Sequence, residues 1–153
     1  MKTIQLTQNK QTVVDDTDYV WLSQWKWYYD NHGYAITNDY STGKHKHIRM
    51  HRLITNAPKG MDVDHVDMNK LNNTRGNLRI CNRSENMCNT KLKSSNTSGI
   101  KGVTWDKTCN KWMAGIMVNY KRINLGRFSD INKAQEAYEQ AAIKYHKEFA
   151  RFK

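Results

Sequence analysis

The sequence predicts an α+β protein built from small modules. These are a β-rich segment over residues 1–60, a strand, loop, strand and helix over 61–90, a linker over 91–99, and three strands with one helix over 100–153. Three observations carry this reading. Short aromatic and β-branched runs broken by turn residues fill the first sixty positions, an Asp-His pair opens an asparagine-rich middle, and a helical apolar period begins at Ser129-Asp130. A chain of 153 residues with 38% hydrophobic content can bury one medium core or two or three small ones, but not a large enzyme architecture.

The elements follow in order. Ile4-Leu6, Val13-Val14, Tyr19-Val20-Trp21, Trp25 to Tyr29, Tyr34-Ala35-Ile36 and Ile48-Met50 are separated by Asp15-Asp16, Asn31-His32-Gly33 and Ser41-Thr42-Gly43. Such alternation reads as a small antiparallel sheet, with Trp21, Trp25 and Trp27 as its core in preference to a base-stacking platform. His51-Arg52-Leu53-Ile54 predicts a short helical turn ahead of Pro58 and Gly60. One strand is expected to end at Asp64-His65, a second to run through Leu78-Arg79-Ile80, and a helix to span Ser84 to about Thr90. Lys91 to Gly99 holds one apolar residue in nine and reads as an extended linker.

Three strand signals follow between residues 100 and 128, punctuated by Asp106 to Asn110 and Asn119 to Arg122. Ser129-Asp130 is a good helix N-cap pair. Ile131, Ala134, Ala137, Tyr138, Ala141, Ala142, Tyr145 and Phe149 then lie on one helical face, which is expected to pack on the strands.

Charge narrows the partner. Lys and Arg total 25 against 14 Asp and Glu, a formal charge of +11, and this favours a polyanion, of which nucleic acid is the simplest. No run approaches ~18 apolar residues, and no basic amphipathic helix is evident, which argues against a membrane. Residues 99–153 hold eleven basic and five acidic residues, whereas residues 1–60 are expected to add little electrostatic grip. The N-terminus lacks a secretory pattern, so a cytoplasmic protein is expected. Cys81, Cys88 and Cys109 form no C-x-x-C pair and are expected to be reduced thiols, the first two partly buried.

The chemistry-bearing constellation is Val63-Asp64-His65, Asp67, Asn69, Leu71-Asn72-Asn73, Asn77-Leu78-Arg79 and Asn86. His65 precedes Asn77 by twelve residues and Asn86 by twenty-one. Phosphodiester hydrolysis needs a deprotonated water and positive charge on the phosphate and leaving oxygen. An imidazole suits the first need, and a hard divalent ion held by oxygen ligands suits the second. The segment resembles the HNH endonuclease family in its variant with a third-position asparagine, especially the phage and intron-encoded homing members.

The resemblance implies a ββα-metal core. In it His65 is the general base, Asn77 bridges the loop and fixes the histidine, and Asp64 and Asn86 hold one Mg²⁺ or Mn²⁺ ion. Asp67 and Asn69 are read as shaping the loop. His51 and Arg83 are further candidates, His51 with a structural role favoured. His32, His45, His47 and His146 default to solvent.

A second resemblance rests on Ser98-Gly99-Ile100-Lys101-Gly102-Val103-Thr104-Trp105, Lys111-Trp112-Met113-Ala114, Leu125-Gly126-Arg127-Phe128 and Ala134 to Ala150. This stretch resembles an AP2 DNA-binding domain, which implies a three-stranded sheet covered by one helix. At positions matching the family's base-reading residues the chain has Lys101, Thr104, Gly115, Met117, Arg122 and Asn124, so no target sequence carries over. Lys91, Lys93, Lys101, Trp105, Lys107, Lys121 and Arg122 are the candidate DNA contacts.

Together these features point to a metal-dependent endonuclease that cuts double-stranded DNA at a recognised site and needs no obligate protein partner. It would work in the host cytoplasm if phage-encoded. The alternative is a non-catalytic DNA-binding protein with a vestigial nuclease fold. On this reading, removing residues 99–153 leaves weak, poorly specific nicking.

Overall fold

The computed structural model describes residues 1–41 and 43–152 as two compact units, Met1–Asn82 and Arg83–Lys153. Thr42, in the expected turn at Ser41-Thr42-Gly43, and the terminal Lys153 lie outside the described residues.

In the first unit β1 (Lys2–Gln5) pairs antiparallel with β2 (Gln11–Val14). A helix, α1 (Asp16–Leu22), follows where the sequence predicts a third extended run. Tyr19-Val20-Trp21 is therefore helical, and the single expected sheet is two sheets. The physical reason is local. Asp16 and Asp18 place negative charge in the first turn, where the helix dipole favours it, and Tyr19 and Leu22 share one inward face. β3 (Tyr28–Tyr29), β4 (Ala35–Asp39) and β5 (Lys46–Arg49) form a three-stranded antiparallel sheet that runs directly into α2 (Met50–Thr55). Then β6 (Asp62–His65) pairs with β7 (Leu78–Cys81).

One core joins these pieces: Ile4, Leu6, Val14, Leu22, Trp27, Ala35, Met50, Ile54, Val63 and Leu78 pack together. Residues on either side of position 60 thus share a single interior. Of the three tryptophans, Trp27 is buried and donates its indole N–H to the Leu22 carbonyl at 2.8 Å. Trp21 is half-buried, while Trp25 stays 40% exposed and stacks on Trp27.

The second unit begins with α3 (Arg83–Cys88). After a stretch without helix or strand come β8 (Val103–Asp106), β9 (Lys111–Val118) and β10 (Lys121–Phe128), an antiparallel sheet with β9 in the centre. α4 (Ile131–His146) covers it, started by Asp130, whose carboxylate accepts the Asn132 N–H at 2.8 Å. Val103, Ala114, Ile116, Ala134, Tyr138, Ala141 and Ala142 form the core. Gly102, at φ +73°, permits this packing: a Cβ there would collide with the Tyr138 ring and the Gly115 carbonyl. His146 is corrected by the structure. It is buried, and its Nε2 lies 2.7 Å from the Met117 carbonyl, because the last turn of α4 sits on β9.

Among the described residues no helix is long and apolar enough to cross a membrane. Cys81 is fully buried, Cys88 half-buried and Cys109 exposed, and all three are free thiols.

Candidate active site and nucleic-acid surface

β6 ends at His65 because the backbone turns there. Val66 N–H bonds the Asn77 carbonyl at 2.9 Å, Met68 N–H bonds back to the His65 carbonyl at 2.8 Å, and Met68 takes a left-handed φ of 62°. The loop is then locked by asparagines. Asn77 accepts the Asp67 N–H at 3.0 Å and donates to the Asp67 carboxylate at 2.9 Å and to the Asn72 carbonyl at 2.8 Å. Asp67 in turn accepts the Asn69 N–H and the Asn72 amide, and Asn69 accepts the Leu71 N–H. One buried asparagine thus ties both ends of the loop to each other.

The orientation of His65 comes from Asn73, a residue of the motif to which the sequence gives no role of its own. Asn73 is fully buried, and its Oδ1 lies 3.2 Å from His65 Nε2. The direction of this bond follows from the chain of partners. The Thr12 hydroxyl gives its proton to the Leu71 carbonyl at 2.8 Å, so its oxygen accepts from Asn73 Nδ2 at 2.7 Å. Asn73 Oδ1 therefore faces the imidazole, and His65 Nε2 is the donor. In the neutral ring the basic lone pair then sits on Nδ1. β2 builds this support: Val13 N–H bonds the Leu71 carbonyl and Asn73 N–H bonds the Val13 carbonyl, both at 2.8 Å. Arg75 adds a clamp to α1, with two 2.8 Å bonds to the Asp18 carboxylate.

Asp64 lies opposite Arg79 in the β6–β7 register, and both Arg79 Nε (2.8 Å) and Nη2 (2.6 Å) reach Asp64 Oδ2. A buried carboxylate needs such a counter-charge. Among the described residues no group of three or more His, Cys, Asp or Glu side chains could hold a metal ion. The donors the motif offers are one carboxylate and amide oxygens. That set fits a hard divalent ion completed by water and phosphate oxygens, and does not fit a closed zinc cage.

His51, on α2, is brought beside His65, the two rings edge to face with centroids 5.1 Å apart. Tyr34 flanks both, 5.0 Å from His51 and 6.2 Å from His65. Burial lowers the His65 pKa, partly offset by the Asn73 hydrogen bond. His51 is pushed down to about 3, first by burial and then by the repulsion that a charge on its ring would meet from a protonated His65 and from Arg49 and Arg52. Both imidazoles are therefore neutral in the folded protein at neutral pH.

A histidine held neutral when folded but free to charge when unfolded contributes stability above its ordinary 6.5, and that stability is lost as pH falls from there toward about 3. The slope is at most about 1.4 kcal/mol per pH unit for each such group. Melting temperature is accordingly expected to fall more steeply with acidification in the wild type than in His51→Gln. Parallel curves would show that His51 is not buried neutral.

In the second unit Asn86 lies on α3, with Arg83 at its exposed start. Lys91, Lys93, Lys107, Lys121 and Arg122 are exposed. Trp105 is 42% exposed and meets Trp112 edge to face at 4.9 Å. Arg122 lies over Gly115, where a Cβ would come within 3.0 Å of its Nε. Lys101 differs from the rest. Its ammonium is half-buried and donates to the Cys88 carbonyl at 2.8 Å and the Thr90 carbonyl at 2.9 Å, closing the C-terminal end of α3. Burial lowers its pKa.

Comparison with known proteins finds two family models along the chain. The HNH endonuclease family model matches residues 45–88, and the AP2 domain model matches residues 98–148. Protein 3.8 of Escherichia phage T7 is 36% identical over 96 residues, covering 63% of this chain and 78% of its own length. A protein of Acanthamoeba polyphaga mimivirus, described as an uncharacterized HNH endonuclease, is 31% identical over 135 residues, covering 84% of this chain and 67% of its own. No solved structure matches at a significant level. The chain belongs to the HNH endonuclease family and carries an AP2-type domain after its nuclease motif.

Proposed function

We propose that the protein is a metal-dependent endonuclease of the homing type, which hydrolyses phosphodiester bonds in double-stranded DNA at a recognised site in the host cytoplasm. The observation that carries this reading is the held imidazole. His65 stands at a strand end, its Nε2–H spent on Asn73 and its loop clamped by Asn77, so the Nδ1 lone pair is the one fitted to take a proton from water. Asp64 and Asn86 are the proposed ligands of one Mg²⁺ or Mn²⁺ ion, an assignment that rests on motif spacing. Such an ion supplies positive charge to the phosphate and leaving oxygen. The AP2-type unit, through Lys107, Lys121, Arg122, Trp105 and the preceding Lys91 and Lys93, would hold the duplex. Lys101 is better suited to holding α3.

Purified protein incubated with supercoiled plasmid and Mg²⁺ or Mn²⁺ tests the proposal. Nicking that EDTA abolishes supports it. Binding without any cleavage would leave a DNA-binding protein on a nuclease fold. Asp64→Ala is expected to lower metal affinity and cleavage together by roughly 10²-fold or more, since losing even an outer partner of a ligand costs about 10–100-fold. Asn86→Ala should do less, because it removes no charge. Full activity of both variants at wild-type metal concentrations would exclude them as ligands.

A further inference from the structure

Residues 1–60 contain eight Lys and Arg against five Asp, and the sequence expectation of little grip averages over an uneven distribution. Lys44, Lys46, Arg49, Arg52 and Lys59 all fall within residues 40–61, which contain no Asp or Glu. Folding gathers most of them on one groove beside β5 and α2. Lys46, His47, Arg49 and Lys59 line it, with Ile48 and Leu53 as apolar lining.

The remaining charges there are accounted for. Arg52 is spent on the carbonyls of Met61, Ala57 and Pro58. Asp30, the one acid in the lining, accepts the N–H groups of His32 and Tyr34. Lys46, Arg49 and Lys59 are exposed, and among the described residues none of them forms an ion pair with a carboxylate, although Lys46 lies opposite Asp39 in the strand pairing. One end of the groove leads to the candidate base: the Arg49 guanidinium sits 4.9 Å from the centre of the Tyr34 ring, whose neighbours are His51 and His65. Lys70 approaches the same ring at 4.5 Å.

We infer that this groove holds the sugar-phosphate backbone of the DNA strand presented to His65. The first unit therefore grips duplex on its own account, in addition to any hold supplied by the AP2-type unit. Exposed cations over an apolar lining match phosphates alternating with sugars. The inference rests on the proposed function, since it presumes a DNA substrate for His65.

The test is Lys46→Ala/Lys59→Ala in the full chain, two residues outside the proposed catalytic machinery. Affinity for a fluorescent duplex is measured in EDTA across a salt series. The slope of log affinity against log salt is expected to become shallower by about 1.8, at about 0.9 per phosphate contact. The melting temperature should be unchanged. Arg49→Ala should remove a further contact. Lys133→Ala/Lys144→Ala, on the exposed side of α4, is the control and should leave the slope unchanged. A groove variant that keeps its fold and the wild-type slope overturns the inference, as does an equal loss in the α4 control. A loss seen with single-stranded oligonucleotide but not with duplex overturns the assignment to a duplex strand. Because binding is read without cleavage, failure here is distinct from failure to nick plasmid.

Discussion

His65→Ala is expected to lower cleavage by about 10²–10⁴-fold, the usual cost of removing a general base, while duplex affinity stays within a few-fold of wild type. The split is expected because His65 is buried and bonded to Asn73, so it has proton transfer to offer and little surface. Desolvation gives the same residue a pH signature. Only the neutral ring accepts a proton, and burial lowers the pKa, so the acid limb of the cleavage rate should have its midpoint below histidine's ordinary 6.5. Plasmid nicking by the two proteins from pH 5 to 9 checks both statements. A variant cutting within tenfold of wild type, or an acid limb centred above 6.5, would remove His65 from the role of base.

Removing residues 99–153 is expected to abolish cleavage. The sequence alone suggests a milder outcome, in which targeting is lost and weak nicking persists. The structure changes that expectation because α3, which carries Asn86, belongs to the same compact unit as the C-terminal sheet. α3 has six residues, too few to persist on backbone hydrogen bonds alone. Its end is closed by the Lys101 ammonium, and Asn89, buried just beyond it, accepts a bond from Arg151 at 3.4 Å. The truncation deletes both cations. Lys101→Met in the full chain isolates the effect: metal-activated nicking should fall about tenfold or more while the sheet and α4 stay folded, since an unsatisfied helix end costs on the order of 1–2 kcal/mol. Circular dichroism, metal titration and nicking of the truncated and Lys101→Met proteins provide the check. A fragment that still nicks at a tenth of the full-length rate would show that α3 needs nothing downstream.

How much was legible follows from the range of each signal. α4 and its cap were readable because the period of Ile131, Ala134, Tyr138 and Ala142 and the Asp130 carboxylate act within one or two turns. The end of β6 at His65 and the loop-bridging by Asn77 were readable through the motif, whose spacing is itself a record of the hairpin. α1 reads as a strand in the sequence because a seven-residue helix offers barely two periods, and its aromatic residues also suit a strand. The burial of His146 is not legible in the sequence, because nothing in its neighbourhood in the chain names Met117, twenty-nine positions away, as its partner.

The sequence by itself therefore determined the order of modules, the two domain resemblances, the cationic character and the residues offered for chemistry. Each of these is a matter of composition or of spacing within a few turns. The tertiary structure alone decided what holds and surrounds those residues. Thr12 fixes the Asn73 amide across sixty-one positions and thereby the tautomer of His65. α2 sets His51 beside His65, and folding turns scattered lysines and arginines into one groove. The Lys101 ammonium is brought to the carbonyls at the end of α3. Contacts across tens of residues leave no periodic mark in a chain, because they are specified by the joint packing of a core and not by any one segment.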